Sequence, residues 1–467
     1  MDKKNNGIAD KETLKLRRAA LVTNMVTAFV MPFMGNSLNL AIPDIGAEFG
    51  ANASAVGWMV TAYILTVAAL SVPFGRLADV TSRKAVMVTG MIIFIVFCAV
   101  SVLASSMSIL IAFRIAQAIG ASMVLSSNMP ILISAYPGNM RGRVLGLSTA
   151  AVYTGLALGP VLGGFLTYTF GWRSIFLFVS VVLVVPLVVM LAFITDRKDR
   201  GKSSYTDISG TILFMIFIIA FMFGMSFIGR GITYVIIAGI GMITGILFIV
   251  HELKDPNPVL NISLFRSNIG YTMSNISALL NYSATFAIGY LISLYLQIVM
   301  GYSAATAGLV MITQPAVMAL LTPTMGRLSD RFSPFIMSSL GMLLCAVGTT
   351  LFIFVRVDTS LTYVITALIV TGLGFSLFAS PNTNAVMGCV DRKDYGIANS
   401  VLNTMRSVGQ TLSMVIVTII VSATLPGIQL VAAEPSGLVG VIRTAFIIFT
   451  IMCIAGVFLS LKRKRNY

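Results

Sequence analysis

Two arginines stand inside apolar runs of this sequence, Arg114 in ILIAFRIAQAIGAS and Arg406 in SVLNTMRSVGQ. A guanidinium in a hydrocarbon-spanning helix costs several kcal/mol. It therefore faces a partner or an internal cavity, or it lies near a helix end and snorkels to the surface. Similar runs carry amides and phenols: Asn36, Asn39, Asn275, Asn281, Gln314, Asn382 and Asn403, with Tyr63, Tyr153 and Tyr290. Together they would line a pocket of mixed polar and aromatic character; singly, each is also an ordinary interhelical packing residue. The sixteen acids fall in termini, connections and span ends, none near the middle of a span. Enzyme chemistry finds no footing. His251 is the only histidine, Cys98, Cys345, Cys389 and Cys453 lack metal-ligand spacing, and no nucleophile–base set appears. The full G-x-x-x-x-G-K-S/T phosphate loop is absent too, since Gly201-Lys202-Ser203 has Asp196 where the first glycine belongs, so any work done must draw on a gradient rather than a nucleotide.

The elements that hold these residues follow from composition. Of 467 residues, 57% are hydrophobic and 10% charged, with a mean hydropathy of +0.95. A water-soluble domain needs roughly 25% charged residues, so most of this surface meets lipid. A bilayer core takes about 20 apolar residues per helix. Fourteen such spans are expected, near 19–42, 55–74, 84–104, 108–129, 143–168, 174–194, 208–228, 232–250, 269–298, 304–324, 334–355, 361–382, 396–425 and 438–461. The alternation of a β-barrel is absent.

The net charge of +15 would suggest nucleic acid on a soluble protein, but these cations sit between apolar runs. Fourteen crossings put 25 Lys and Arg on one side and only four, Arg173, Arg230, Arg356 and Arg443, on the other. The positive-inside rule then expects both termini to be cytoplasmic, in a multi-pass protein of the cell membrane.

The connection after the second span reads GRLADVTSRK from Gly75, and that after the tenth reads GRLSDRFSP from Gly326, 251 positions further on. Internal repetition of this kind marks transporters whose halves rock about a midplane site. The first six spans end at 194, so the offset leaves room for two extra helices. The expected architecture is an all-α membrane protein of six plus two plus six helices, with two pseudo-symmetric six-helix bundles. Its parts are a cytoplasmic segment at 1–18, a first bundle at 19–194, the inserted pair with its linkers at 195–268, a second bundle at 269–461 and a basic tail at 462–467.

These motifs in order resemble the major facilitator superfamily, and within it the fourteen-helix drug:proton antiporter branch. The family's G-x-L-A-D-x-x-G-R-K appears as Gly75, Leu77, Ala78, Asp79, Arg83 and Lys84, with Ser82 in place of a glycine. Its R-x-x-Q-G-x-G appears as Arg114, Gln117 and Gly120, with Ala118 in place of a glycine. The antiporter pattern G-x-x-x-G-P-x-x-G-G is intact as Gly155, Gly159, Pro160, Gly163 and Gly164. Asp207 and Gly210 opening the seventh helix, GWRSIF at 171–176 and PVLNISLF at 258–265 also match.

The resemblance implies roles for these residues. Gly75, Asp79 and Arg83, echoed by Asp330 and Arg331, would latch a conformational state. Arg114 and Gln117 would serve coupling or substrate access, with Asp79 and Asp44 as the available titratable or charge-relay groups. The glycine–proline motif would control the seal between halves and favour export. The implied activity is proton-coupled export of small amphiphilic compounds, drug-like or lipid-like, by a monomer. It would use a proton gradient and no cofactor, with membrane lipid around it and no nucleic acid or nucleotide partner. One departure matters: relatives that export cationic drugs carry an acid nine residues before the proline of the first helix, and here that place holds Met34. With Arg114 and Arg406 inside, the expected substrate is neutral, zwitterionic or anionic. Uptake or exchange of a small anionic solute is the alternative on the same fold. A lipid-handling or sensing protein without turnover of a soluble substrate is another.

Overall fold

Hydrocarbon leaves no backbone donor or acceptor a partner in solvent, so a spanning segment must bond to itself as a helix. That is what a computed structural model contains: fourteen described helices long and apolar enough to cross a membrane. It describes residues 2–137, 140–194, 207–228, 231–255, 258, 265, 268–329, 331–390, 395–425 and 434–461. Side chains at 2–13, 79, 141–143, 145–146, 395–397, 399–400 and 461 lie outside that description.

The first six helices are α1 (Asp2–Glu48), α2 (Ala53–Val80), α3 (Arg83–Ser101), α4 (Met107–Ala135), α5 (Arg141–Phe170) and α6 (Arg173–Phe193). The inserted pair is α7 (Ile208–Ser226) and α8 (Ile232–Glu252). The last six are α9 (Ile269–Val299), α10 (Ala304–Ser329), α11 (Pro334–Ile353), α12 (Leu361–Gly388), α13 (Tyr395–Thr424) and α14 (Pro435–Leu461). Several outrun the expected spans, α1 most of all, because a helix continues beyond the apolar stretch until a cap or breaker stops it. Ser82, Ser106 and Ser360 are such caps, each accepting a bond from a backbone N–H of the first turn. α9 and α10 are interrupted: α9 is helical over Ile269–Thr285, resumes over Ile288–Leu294 and ends in a π-helical turn at Tyr295–Val299, and α10 breaks briefly between Ala304–Met311 and Thr313–Ser329. At the break in α9, Ser413 Oγ of α13 accepts the Ala287 N–H at 3.1 Å.

The two halves repeat each other in their close contacts. Gly90 of α3 packs on Gly120 of α4, and Gly341 of α11 packs on Gly374 of α12; an added methyl would collide with backbone in every case. Gly90 and Gly341 are separated by the same 251 positions as Gly75 and Gly326. Gly75 and Gly326 in turn lie over Ser126 and Ser380. Small residues let backbones approach where lipid supplies no hydrophobic drive between helices.

At the end of the first bundle away from the termini, Arg173 grips Glu48 with two bonds, of 2.7 and 2.6 Å. Trp172 Nε1 donates to the same carboxylate at 2.7 Å, and Arg173 also donates to the carbonyls of Val102 and Ala104. One basic side chain thus ties α1 and the loop after α3 to the start of α6.

The inserted pair forms a tight hairpin, with Gly224 against Ala238 and Gly241 against Phe221. It lies against both α2 and α13. Its anchor is aromatic: Trp58 of α2 stacks on Phe227 at 5.0 Å and meets Phe223 edge-on at 5.4 Å.

Candidate functional site

Arg114 lies two turns into α4 and is only 3% exposed. Its guanidinium carbon sits 4.0 Å above the centre of the Tyr63 ring, and Nη1 donates to Gln117 Oε1 at 2.8 Å. Gln117 is fixed from the other side, donating to Ser101 Oγ at 2.7 Å and to the Phe97 carbonyl at 3.1 Å. The i,i+3 spacing of Arg114 and Gln117 places both on one helix face, so the motif's spacing makes the amide a clamp for the guanidinium. Nε of Arg114 has no hydrogen-bond partner. Among the described residues no carboxylate forms an ion pair with it. The positive charge is therefore held by a ring face, an amide and little else. Such a group can attract an anion or repel a proton, and the Tyr63 ring that covers it is half-buried.

Arg406 of α13 is its counterpart in the second half. Nη2 donates to Thr383 Oγ1 at 2.7 Å, and the guanidinium lies 5.5 Å from the Tyr282 ring centre. Across the boundary between halves, Tyr153 of α5 comes within interaction range of Arg406, Tyr282 and Thr322. Tyr63, Tyr153, Gln314 and Arg406 are half-buried and Asn403 is exposed. Gly35, at mid-length in α1, faces open space.

Contacts between the halves concentrate toward the face opposite the termini. Ser54 of α2 bonds Ser422 of α13 at 3.1 Å, Thr61 lies 3.4 Å from Thr418, and Ser293 of α9 donates to the Asn39 carbonyl at 2.6 Å. The glycine–proline motif of α5 serves two contacts at once. Gly155, Gly159 and Gly163 press on Phe29, Phe33 and Ser37 of α1, inside the first bundle, where Ser37 Oγ also donates to the Gly159 carbonyl at 2.9 Å. Gly164 and the Pro160 carbonyl instead face Ala304 and Gly308 of α10, in the other bundle. Sequence reasoning placed three glycines on one face; the partners Ala304 and Gly308 were missed, although an Ala-x-x-x-Gly pair is the small-residue signal that would have found them.

The other candidates separate by burial. Asn36 is half-buried and donates to the Leu156 carbonyl at 3.0 Å. Met34, Asn39, Asn275, Asn281, Tyr290 and Asn382 are at most 9% exposed and belong to helix packing rather than to a cleft wall. Asn281 Nδ2 reaches Met342 Sδ at 3.2 Å, Asn382 Nδ2 the Ser274 carbonyl at 3.2 Å, and Asn275 Nδ2 the Tyr271 carbonyl at 3.0 Å. An amide inside a bundle is held by the nearest backbone carbonyl or side chain, and that bond turns it from the cleft. Asp44 is exposed at the far end of α1 and makes no ion pair with Arg114. The Asp79 side chain and Asp330 lie outside the described residues, so the expected latch is traced only through Gly75, Arg83 and the exposed Arg331. Thr383, Tyr282 and Ser101, which hold the two arginines and their clamp, carried no motif and were not anticipated.

Known proteins supply an independent view. Over 399 residues the chain is 28% identical to the riboflavin transporter RibZ of Clostridioides difficile (strain 630), covering 85% of this chain and 87% of that one. It is 27% identical over 425 residues to the methylenomycin A resistance protein of Bacillus subtilis (strain 168), covering 90% of each. It is 25% identical over 420 residues to the multidrug resistance protein Stp of Mycobacterium tuberculosis (strain ATCC 25618 / H37Rv), covering 87% of this chain and 77% of that one. A bacterial homologue of the human lysosomal transporter Spinster, solved inward-facing and unoccupied, shares the fold with a TM-score of 0.70 at 16% identity, over 96% of this chain and 97% of that one. The family model described as Major Facilitator Superfamily matches residues 25–253 and 274–466. With that match over most of its length, on fourteen spanning helices whose close packing repeats in the two halves, the chain belongs to the major facilitator superfamily.

Proposed function

We propose that this transporter exports neutral or anionic amphiphiles in exchange for protons, by alternating access. The observation that carries the reading is the charge of its interior: Arg114 lies buried in the first half and Arg406 half-buried in the second, and among the described residues every carboxylate sits at a helix end or in a connection. A cation has nothing to neutralise it there, whereas an anionic or strongly polarised group gains from Arg114 and Arg406. Export is favoured by the Pro160–Gly308 and Gly164–Ala304 contacts, which put the antiporter motif in the seam between halves. With the basic loops on the cytoplasmic side, that seam is the outer gate and the state is open inward. Relatives named for methylenomycin A and multidrug resistance fit the same direction. The proton gradient is the proposed energy source, with Asp44 beyond the outer seam and Asp79 at the inner end of α2 as the acids on the two faces.

Uptake or exchange of a small anionic solute on the same fold is the second reading, favoured by the two embedded arginines, Arg114 and Arg406. The relative named as a riboflavin transporter adds an uncharged planar amphiphile to the candidate substrates of either reading.

Everted membrane vesicles decide between them. With the lumen acidified, an exporter's substrate should accumulate inside, so a panel of riboflavin, anionic fluorescent amphiphiles and ethidium is the measurement. Accumulation of anionic or neutral members with ethidium excluded is expected. Strong ethidium accumulation would overturn the charge assignment, and movement of nothing under either gradient would overturn proton-coupled transport.

A further inference from the structure

Remote from the cleft, where the hairpin α7–α8 joins its linkers, four ionisable side chains meet. His251 Nε2 lies 2.8 Å from Asp207 Oδ1 and 3.8 Å from Asp255 Oδ2. One ligand atom from each of these three residues falls within 4.8 Å of the others. Glu252 joins them: its Oε1 and the Oδ2 of Asp207 converge on the space beside Gly210, where a side-chain carbon would collide with both. Asp207 and Glu252 are only 2% and 3% exposed. Asp207 Oδ1 is occupied by the Gly210 N–H at 2.8 Å, while Oδ2, equally buried, is turned to the Glu252 carboxyl.

We propose that Asp207, His251 and Asp255, with Glu252 behind them, form a binding site for a divalent transition-metal cation of the Zn²⁺ type. Three carboxylates beside one imidazole, two of them buried, concentrate negative charge that must be offset by protons held within the cluster or by a bound cation. The donor set is right in kind, since one imidazole nitrogen with carboxylate oxygens suits Zn²⁺ and its neighbours. It is also right in spacing. Bonds of about 2.0–2.2 Å put tetrahedral donors roughly 3.3 Å apart, inside the range spanned here. Gly210 makes the site possible, because any larger residue would fill the space in which two of the carboxylates turn inward. A bound cation would staple the linker entering α7 to the one leaving α8, closing the hairpin at its base.

The competing arrangement is a protonated His251 paired with Asp207 and no metal, and a single substitution separates the two. Gln at position 251 keeps a hydrogen-bond donor to Asp207 but presents no lone-pair nitrogen to a metal. The full-length protein, purified in detergent without a histidine tag, would be titrated with ZnCl₂ alone against a chromophoric chelator. His251 is the only histidine, so no other imidazole contributes. One Zn²⁺ per chain and a Zn²⁺-dependent rise in Tm are expected for the wild type. Affinity should fall at least tenfold in His251→Gln and in Asp255→Asn, with elution profile and metal-free Tm retained. Asp255→Asn, outside both helices, serves as the second variant should His251→Gln fail to fold. Equal Zn²⁺ binding by wild type and either folded variant, or no binding by the wild type, would overturn the site.

Discussion

Arg114→Ala is expected to lower transport about 100-fold or more, while the protein still reaches the membrane folded. The first half follows from how little else in the interior carries charge. If the guanidinium supplies about 2.7 kcal/mol to the bound or rate-limiting state, its loss is two orders of magnitude. The second half follows from desolvation. Removing a buried charge that lacks an ionic partner relieves a cost rather than adding one, and Gln117 keeps its bonds to Ser101 and Phe97. Lysine should rescue only in part, because it restores the charge without the planar fork that meets Gln117 or the flat face that lies on Tyr63. Tyr63 itself gives the finer control. Tyr63→Phe keeps the ring under the guanidinium and should stay within about twofold, whereas Tyr63→Ala removes a desolvated cation–π contact of about 2 kcal/mol and should fall about 30-fold. Uptake into acid-loaded everted vesicles, normalised to the amount of folded protein, is the readout. Wild-type rates in Arg114→Ala would remove the arginine from the mechanism.

Gly308→Val should prevent the seam between α5 and α10 from closing. The added carbons would run into the Pro160 carbonyl and Leu40. Both belong to the opposite bundle, so the clash is relieved when the halves part rather than by unfolding either. The expected result is a protein caught open on that face, with net transport reduced tenfold or more, since a transporter that cannot close cannot cycle. Ser54 and Ser422, whose hydroxyl oxygens are 3.1 Å apart, give the measurement. A cysteine pair at these two positions should cross-link readily with an otherwise native seam and fail to do so beside Gly308→Val. Cys98, Cys345 and Cys453 are buried, which leaves Cys389 as the native thiol to replace first. Gly159→Val makes the contrast, because its clash is with Phe33 and Asn36 of its own bundle and it should destabilise the fold instead of shifting the state. Cross-linking that survives Gly308→Val would show that this contact does not control the seam.

The fold was legible because lipid imposes a coarse rule on sequence: apolar length gives the spans and Lys/Arg position gives their alternation. The repeat of Gly75 and Gly326 fixed where the extra helices had to lie, and Gly90 with Gly341 extends that repeat into packing. The sequence pattern also pointed to Arg114 and Arg406, since a cation inside an apolar run is rare enough to announce itself. What surrounds them was hidden. Tyr63 and Arg114 sit on different helices with no local period to join them, and Ser101, Thr383 and Tyr282 look like any polar residues near helix ends. The amides misled for a physical reason. Asn281 and Asn382 satisfy themselves within their own bundle, and composition cannot tell a side chain turned toward a neighbouring helix from one turned toward a solute.

Trp58 carries a practical consequence. The chain has only two tryptophans, and they report on different things. Trp172 is pinned to Glu48 within one bundle, so its emission should hold steady as the protein cycles. Trp58 lies flat on Phe227 of a hairpin that also touches α13, so a hairpin that follows α13 as the bundles part would pull that stack open. Intrinsic fluorescence of the unlabelled protein then provides a built-in optical gauge of the seam between the halves, with its own internal standard.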